Sequence, residues 1–158
     1  MEESDKKNQV KKISTEVKTF SVLGSSVEIT ENLSISTNSF RESSKEQIIN
    51  EAFKYHSQGK IPEATKYYQS FIDQGFKDHR VFSNYGTILK SLGKLQQAEL
   101  LQRKAIEINP DFEKAHLNLG NILKDLGKLQ EAELYTRKAI EINPDFEKAH
   151  LNLGSILK

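Results

Sequence analysis

The sequence predicts an all-α fold in which antiparallel helix pairs stack into a solenoid. The main observation is a 34-residue repeat: residues 111–124, DFEKAHLNLGNILK, recur at 145–158 with thirteen of fourteen residues unchanged. Glycines recur at fixed positions of each repeat, and Asn-Pro pairs recur near the repeat ends. A period of this length is typical of stacked helix pairs, so we expect function to reside on a repeated surface, as binding, and not in one pocket.

Residues 1–43 differ in composition from the rest of the chain. Ser, Thr, Lys and Glu dominate, and the apolar residues are too sparse to offset the entropy of ordering the backbone. We therefore expect a disordered or weakly structured, flexible N-terminal tail before a solenoid at residues 44–158. The alternation of apolar residues between Val27 and Ile35 leaves a short hairpin as an alternative, although an isolated hairpin is marginal in water.

The 34-residue frame continues back from the clear repeat without an insertion. It divides the solenoid into residues 45–78, 79–112 and 113–146 and a partial fourth repeat, 147–158. Each full frame is expected to hold a helix A followed by a helix B.

Glycine and proline mark the predicted helix ends. Helix A ends at a glycine in the left-handed conformation, where a Cβ atom would clash, and helix B begins one or two residues later. Asn-Pro ends helix B in the second and third repeats, because the residue before proline disfavours the helical conformation. The glycines are Gly59, Gly93 and Gly127, the helix B starts are Ile61, Leu95 and Leu129, and the helix B ends are Asp73, Glu107 and Glu141.

A second set of glycines, Gly86, Gly120 and Gly154, lies in the middle of helix A. Glycine there costs about 1 kcal/mol relative to alanine, so we expect a compensating close approach of helix B. Ala98 and Ala132 lie where helix B would cross these glycines.

Five positions recur together at fixed offsets, and as a set they resemble the tetratricopeptide repeat (TPR) of bacterial repeat-array proteins. In the third repeat they are Leu119-Gly120, Gly127, Ala132, Ala139 and Pro144. The resemblance covers residues 45–158, about 3.3 repeats. The first repeat departs from the pattern at Glu51, Ala52, Phe71 and Phe76.

The resemblance implies a right-handed superhelix whose A helices line a concave face. Members of this family usually hold extended peptides or a partner's helix there, so it implies a noncatalytic protein–protein interaction module. An alternative is the substrate-recruiting N-terminal arm of a glycosyltransferase- or sulfotransferase-type enzyme, because related bacterial proteins carry such repeats ahead of a catalytic domain.

One column of helix A is asparagine in every repeat: Asn50, Asn84, Asn118 and Asn152. An amide offers donors and an acceptor, so this column could pair with successive backbone groups of an extended ligand. It is similar to the asparagine ladder in the repeats of O-linked N-acetylglucosamine transferase, which grip peptide backbone. The alternative is that duplication copied the asparagine, which then bonds only a neighbouring loop or water.

A second column is basic, with Arg80, Lys114 and Lys148, and Lys124 lies one helix face away. Cations on a concave wall favour an acidic peptide or a C-terminal carboxylate. Solvated lysines are the alternative explanation. Ile49 and Phe53 stand where the carboxylate clamp of chaperone-binding relatives needs Lys and Asn, so recognition of chaperone tails is not expected. The predicted peptide-binding residues are therefore Asn50, Asn84, Asn118, Asn152, Arg80, Lys114, Lys148, Asn121 and Lys124.

Composition argues against several other functions. The net charge of +1 argues against a nucleic-acid partner, and the absence of cysteine excludes thiolate catalysis and Cys-ligated zinc. No signal peptide and no run of 18 apolar residues is found, so we expect a cytoplasmic protein without membrane spans. No catalytic constellation or cofactor motif is found, so we expect neither an enzyme nor a bound cofactor.

His116 and His150 are one repeat apart, about 10 Å by analogy with packed helices, which is too far for one zinc ion. We expect no metal site and a partly buried structural role for both, against the preceding helix B.

The fourth repeat has a helix A without its helix B. We expect Leu153, Ile156 and Leu157 to be uncovered on one side. This indicates either a fragment of a longer array or self-association through the uncapped repeat.

Overall fold

The structure, a computed structural model, describes residues 44–158, and the regular secondary structure in that range is helical. The predicted tail at residues 1–43, including the alternative hairpin, lies outside the described residues. The helices are α1 at residues 44–57, α2 at Ile61–Asp73, α3 at His79–Ser91, α4 at Leu95–Ile108, α5 at Glu113–Asp125, α6 at Leu129–Ile142 and α7 at Glu147–Ile156.

The helices pair in the predicted order, with α3 on α4 and α5 on α6, and each helix B also packs on the next helix A. Successive A helices also contact one another, since α3 meets α5 and α5 meets α7, whereas α4 and α6 share few or no backbone contacts. The stack therefore curves towards its helix A side. We call the surface formed by α1, α3, α5 and α7 on that side the inner face.

The turns between helices A and B follow the glycine prediction. Gly59, Gly93 and Gly127 have φ values of 70°, 73° and 76°, in the left-handed region that favours glycine. The predicted ends of helix B were one residue too early in α4 and α6, which end at Ile108 and Ile142. Proline restricts only the asparagine directly before it, so the preceding isoleucine stays helical.

The glycines in the middle of α3 and α5 allow helix B to approach closely. A Cβ atom on Gly86 would lie 3.3 Å from the Ala98 carbonyl oxygen, and one on Gly120 would lie 3.1 Å from that of Ala132. Both contacts confirm the predicted crossing point. The expected compensation is absent at Gly154, where a Cβ atom would meet nothing within 4 Å.

The first repeat replaces small core residues by aromatic ones. Phe71 is fully buried and its ring lies 5.4 Å from that of Phe76, the two residues that stand at the family's alanine and proline positions. Buried Tyr68 stacks on Tyr85 of α3, with ring centroids 5.9 Å apart, so these aromatic rings join the first repeat to the second.

Among the apolar side chains of α7 and the residue after it, one differs from the expectation that they are uncovered. Ile156 is 9% exposed, because it packs against Leu119, Leu123 and Ala132, so the prediction that it is uncovered was wrong. Leu157 is 58% exposed, as expected. Self-association through this surface stays a prediction, which sedimentation velocity of wild type against Leu157→Glu would check. No helix within residues 44–158 is both long and apolar enough to span a membrane.

Candidate functional site

Polar side chains link neighbouring A helices across the inner face. The Asn118 amide Nδ2 donates to the hydroxyl oxygens of Ser83 and Thr87, 3.3 Å from each, and so connects α5 to α3. Lys90 of α3 forms an ion pair with Asp125 of α5 at 2.8 Å. We call these connections, and the corresponding ones between α5 and α7, cross-helix struts.

Lys124 provides the strut between α5 and α7. Its Nζ donates to Asn152 Oδ1 at 3.2 Å and to Ser155 Oγ at 3.0 Å. Lys90 and Lys124 occupy the same position of successive repeats, so the same column of lysines reaches forward to the next helix A in both. Lys124 is thus a predicted site residue that the structure places in an internal contact.

The four asparagines of the predicted ladder have different surroundings. Asn50 is exposed, and Asn84 and Asn118 are half-buried. Asn152 is only 7% exposed and its Nδ2 donates to the hydroxyl of Thr136 at 3.1 Å. The members of the predicted ladder are therefore not equally available to a ligand.

The basic column also divides into paired and accessible cations. Arg80 donates to Asp78 with Nη2–Oδ2 at 2.7 Å, while Lys114 and Lys148 are exposed and form no ion pair within residues 44–158. Asn121, half-buried on the same stripe, makes no side-chain hydrogen bond within that range. Lys114 and Lys148 are therefore the cations of this column that are not already neutralised.

Asp78 holds Arg80 in place and also caps α3. Its Oδ1 accepts from the Arg80 backbone N–H at 2.8 Å, which satisfies one of the free donors of the first helical turn. Burial alone would raise the pKa of Asp78, but hydrogen bonds from Arg80 outweigh it and hold that pKa below its usual value. The Asp78 carboxylate is thus charged at neutral pH and compensates the guanidinium.

An open pocket between α1 and α3 was not predicted. It is lined by Phe53, His56, Ser57 and Asn84. A signal for it was present in the sequence, because His56 stands 34 residues before Lys90 and so replaces the strut lysine in the first repeat. Asn84 is the one lining residue that the asparagine column identified.

Both repeat-related histidines bond to a proline carbonyl. His116 Nε2 lies 2.8 Å from the Pro110 oxygen, and His150 Nε2 lies 2.7 Å from that of Pro144. His116 is 5% exposed, and its ring stacks on Tyr135 of α6, its own helix B; the expected packing against the preceding helix B stays a prediction. The expectation of partial burial was wrong for His150, which is exposed and, within residues 44–158, has no ring stacked on it as His116 has. Within residues 44–158, no group of three or more metal-ligating side chains is found.

Comparison with protein families matches the two central repeats. Tetratricopeptide repeat models match residues 79–112 and residues 113–146, which are the second and third predicted repeats. No curated protein sequence matches the chain significantly.

Solved structures share the fold along most of the described residues. The Arabidopsis OM64 TPR domain has a TM-score of 0.68 and 21% identity, covering 72% of this chain and 94% of that domain. The first TPR of Spaghetti (RPAP3), bound to the HSP90 peptide SRMEEVD, has a TM-score of 0.67 and 26% identity, covering 72% and 90%. The Thermobaculum terrenum O-GlcNAc transferase has a TM-score of 0.68 and 21% identity over 73% of this chain, but only 22% of the enzyme is covered. Helix pairing, turn glycines, family matches and structural neighbours agree: residues 79–112 and 113–146 are tetratricopeptide repeats, and the described residues share the fold of tetratricopeptide-repeat domains.

Proposed function

We propose that this protein is a noncatalytic interaction module that binds an extended peptide, or an extended segment of a partner protein, along the inner face. The observation that carries the proposal is the polar stripe along α3, α5 and α7, where the exposed Lys114 and Lys148 accompany half-buried amides. Amides can pair with backbone groups of any sequence, and the two lysines favour acidic side chains.

The chemistry of a relative's ligand supports an acidic peptide. The Spaghetti (RPAP3) domain was solved with the peptide SRMEEVD, which carries three carboxylate side chains. In this chain Ile49 is buried and Phe53 is half-buried at the positions where a clamp for such tails needs polar groups. We therefore propose an acidic ligand that is held over the second to fourth repeats, and not a chaperone tail.

A peptide array tests the proposal. The full chain is compared with a triple variant, Lys114→Ala with Lys148→Ala and Asn118→Ala, and with a matched control on the B helices, Lys104→Ala with Lys138→Ala. Acidic peptides that bind wild type and the control but lose about tenfold or more in affinity for the triple variant would support the proposal. Circular dichroism checks that helicity is retained. Equal binding by all three proteins would exclude the inner face as the binding surface.

The alternative function, a substrate-recruiting arm of a glycosyltransferase or sulfotransferase, stays a prediction. The likeness to the Thermobaculum terrenum enzyme at 21% identity supports a common fold and no more. A reading frame that continues past Lys158 into a catalytic domain would establish this alternative, and a stop codon there would exclude it.

A further inference from the structure

The inner face of the first repeat departs from the later repeats at two neighbouring positions. In the later repeats one column is Thr87, Asn121 and Ser155, and the next is Lys90, Lys124 and Lys158. The first repeat has Phe53 and His56 in these columns. A histidine is too short to reach forward as lysine does, so the space that a strut fills farther along the stack is open between α1 and α3.

A hydrogen bond to Tyr68 fixes the orientation of the His56 ring. His56 Nδ1 lies 2.9 Å from the Tyr68 hydroxyl, and the two rings meet edge to face with centroids 5.9 Å apart. Burial raises the pKa of Tyr68 to about 12, while a side-chain hydrogen bond with Asn84 opposes the rise. Tyr68 is therefore neutral at physiological pH and has one proton to donate.

The protonation of His56 follows from this bond. Tyr68 is fully buried, and within residues 44–158 its hydroxyl has His56 Nδ1 as its hydrogen-bond partner, so the Tyr68 proton goes to Nδ1 and is not left without an acceptor. Burial lowers the pKa of His56, so the ring is neutral at pH 7 and carries its single proton on Nε2. His56 Nε2 makes no hydrogen bond within residues 44–158.

The pocket thus presents a donor beside an acceptor, together with an apolar surface. The donor is His56 Nε2–H, the acceptor is the side-chain oxygen of Asn84, and the apolar surface is the half-buried ring of Phe53. A donor beside an acceptor is complementary to the C=O and N–H groups of a peptide.

The charged groups around the pocket are already paired. Arg80 lies over the Phe53 ring at 5.6 Å but is bound to Asp78, and Lys54 is bound to Glu51 at 3.1 Å. Among the described residues, the pocket therefore offers no unpaired cation to a ligand, in contrast to the exposed lysines of the third and fourth repeats.

We propose that the pocket of Phe53, His56, Ser57 and Asn84 binds one uncharged residue of a peptide, with its apolar or aromatic side chain on Phe53 and its backbone on His56 and Asn84. This inference rests on the proposed function and adds a second specificity: a neutral anchor residue at the first repeat beside an acidic stretch at the later repeats.

Histidine NMR tests this inference on the full chain with a small probe, N-acetyl-L-phenylalanine N-methylamide. We expect the probe to shift the His56 Hε1 resonance saturably and to leave that of His150 in place. N-acetyl-L-aspartate N-methylamide should bind about fivefold more weakly or worse, since the pocket has no unpaired cation. Phe53→Thr, which restores the residue of the second repeat, should weaken binding of the neutral probe about tenfold, because it removes the aromatic surface.

His150→Lys is the matched control and should bind the neutral probe as wild type does. A long-range ¹H–¹⁵N spectrum of the free protein should show the His56 proton on Nε2. Tyr68→Phe keeps the ring packing but removes the hydroxyl, so the proton of His56 should then be shared between Nδ1 and Nε2. A proton on Nδ1, equal affinity for the two probes, or unchanged affinity in Phe53→Thr would overturn the inference. If the probe does not bind at His56 but the peptide array is positive, only the proposed pocket is rejected. If the array is negative but the probe binds saturably at His56, only peptide binding by the later repeats is rejected.

Discussion

Gly120 and Gly154 occupy the same position of successive repeats but have different surroundings. At Gly120 a Cβ atom would contact the Thr136 hydroxyl and the Ala132 carbonyl oxygen, whereas at Gly154 it would meet nothing within 4 Å. The intrinsic helix propensity of glycine is the same at both positions, so replacement by alanine separates the packing contribution from the propensity.

We expect Gly120→Ala to lower the free energy of unfolding by about 1 to 3 kcal/mol, because the added methyl group overpacks the contact between α5 and α6. Gly154→Ala should raise it by about 0.5 to 1 kcal/mol, because alanine restricts the unfolded chain and nothing opposes its side chain. Urea unfolding followed by circular dichroism measures both changes. A change of the same sign in the two variants would contradict the packing shown for α5.

Sequence spacing predicts which residues recur on the inner face, but it does not predict their partners. The asparagine column recurs every 34 residues, and a constant period preserves orientation from repeat to repeat. The burial of Asn152 depends on Thr136, and the pocket at His56 depends on Tyr68, both contributed by helix B. Such contacts between helices depend on how they pack, which periodicity within one helix does not specify.

At the scale of helices, α4 and α6 are joined by a charged cluster around Arg103. Its guanidinium donates to Glu99 in α4 at 2.8 Å and, in α6, to Glu131 at 2.9 Å and to the Tyr135 hydroxyl at 2.8 Å. Burial alone would lower the pKa of Arg103, but the hydrogen bonds that it donates to Glu99 and Glu131 outweigh this effect and raise that pKa. The cluster thus links the second and third repeats on the side opposite the inner face.

Arg137 offers a matched control for this cluster. It makes the same bond within its helix, to Glu133 at 2.7 Å, but no hydrogen bond to another repeat within residues 44–158. We expect Arg103→Ala to destabilise the fold by about 1 kcal/mol, after allowance for solvent screening of a partly exposed group, and Arg137→Ala by only a few tenths. Thermal unfolding at low and at 0.5 M salt measures both. Equal effects of the two substitutions would show that the link between repeats contributes nothing.

The helix boundaries were accessible from local sequence, because glycine and proline act on the backbone next to them. The turns at Gly93 and Gly127 follow from the left-handed conformation alone. The exposure of His150 and the burial of Ile156 depend instead on the surrounding helices, and the sequence predictions were wrong at both positions.

For the whole molecule, the number of neighbouring helices varies along the stack. α5 packs against α4 and α6 and also contacts α3 and α7, whereas the close helix contacts of α7 within residues 44–158 are with α5 and α6. Stability in such a stack is approximately the sum of contributions from each repeat and from its interfaces with its neighbours. Residues 113–120 and 147–154 are identical in sequence, so differences between them arise from these interfaces.

We therefore expect amide hydrogen exchange to be slowest in α5 and fastest in α7 among the helices from α3 onwards. Leu119 and Leu153 are the most direct comparison, because their sequence neighbours up to Gly120 and Gly154 are the same and so are their intrinsic exchange rates. The opening free energy at Leu153 should be lower by about 2 kcal/mol or more. Equal protection at the two leucines would indicate that the chain opens as a single cooperative unit.

Direct contact between successive A helices fixes a step that any extended ligand on the inner face would meet. Packed helices lie about 8 to 10 Å apart, and an extended chain advances about 3.3 Å per residue, so one repeat corresponds to about three ligand residues. Side chains of an extended chain alternate in direction with a period of two, so neighbouring repeats would face side chains that point in opposite directions. Every repeat would therefore meet equivalent backbone groups of the ligand, but not equivalent side chains. Two identical side-chain contacts would have to lie two repeats, or about six ligand residues, apart.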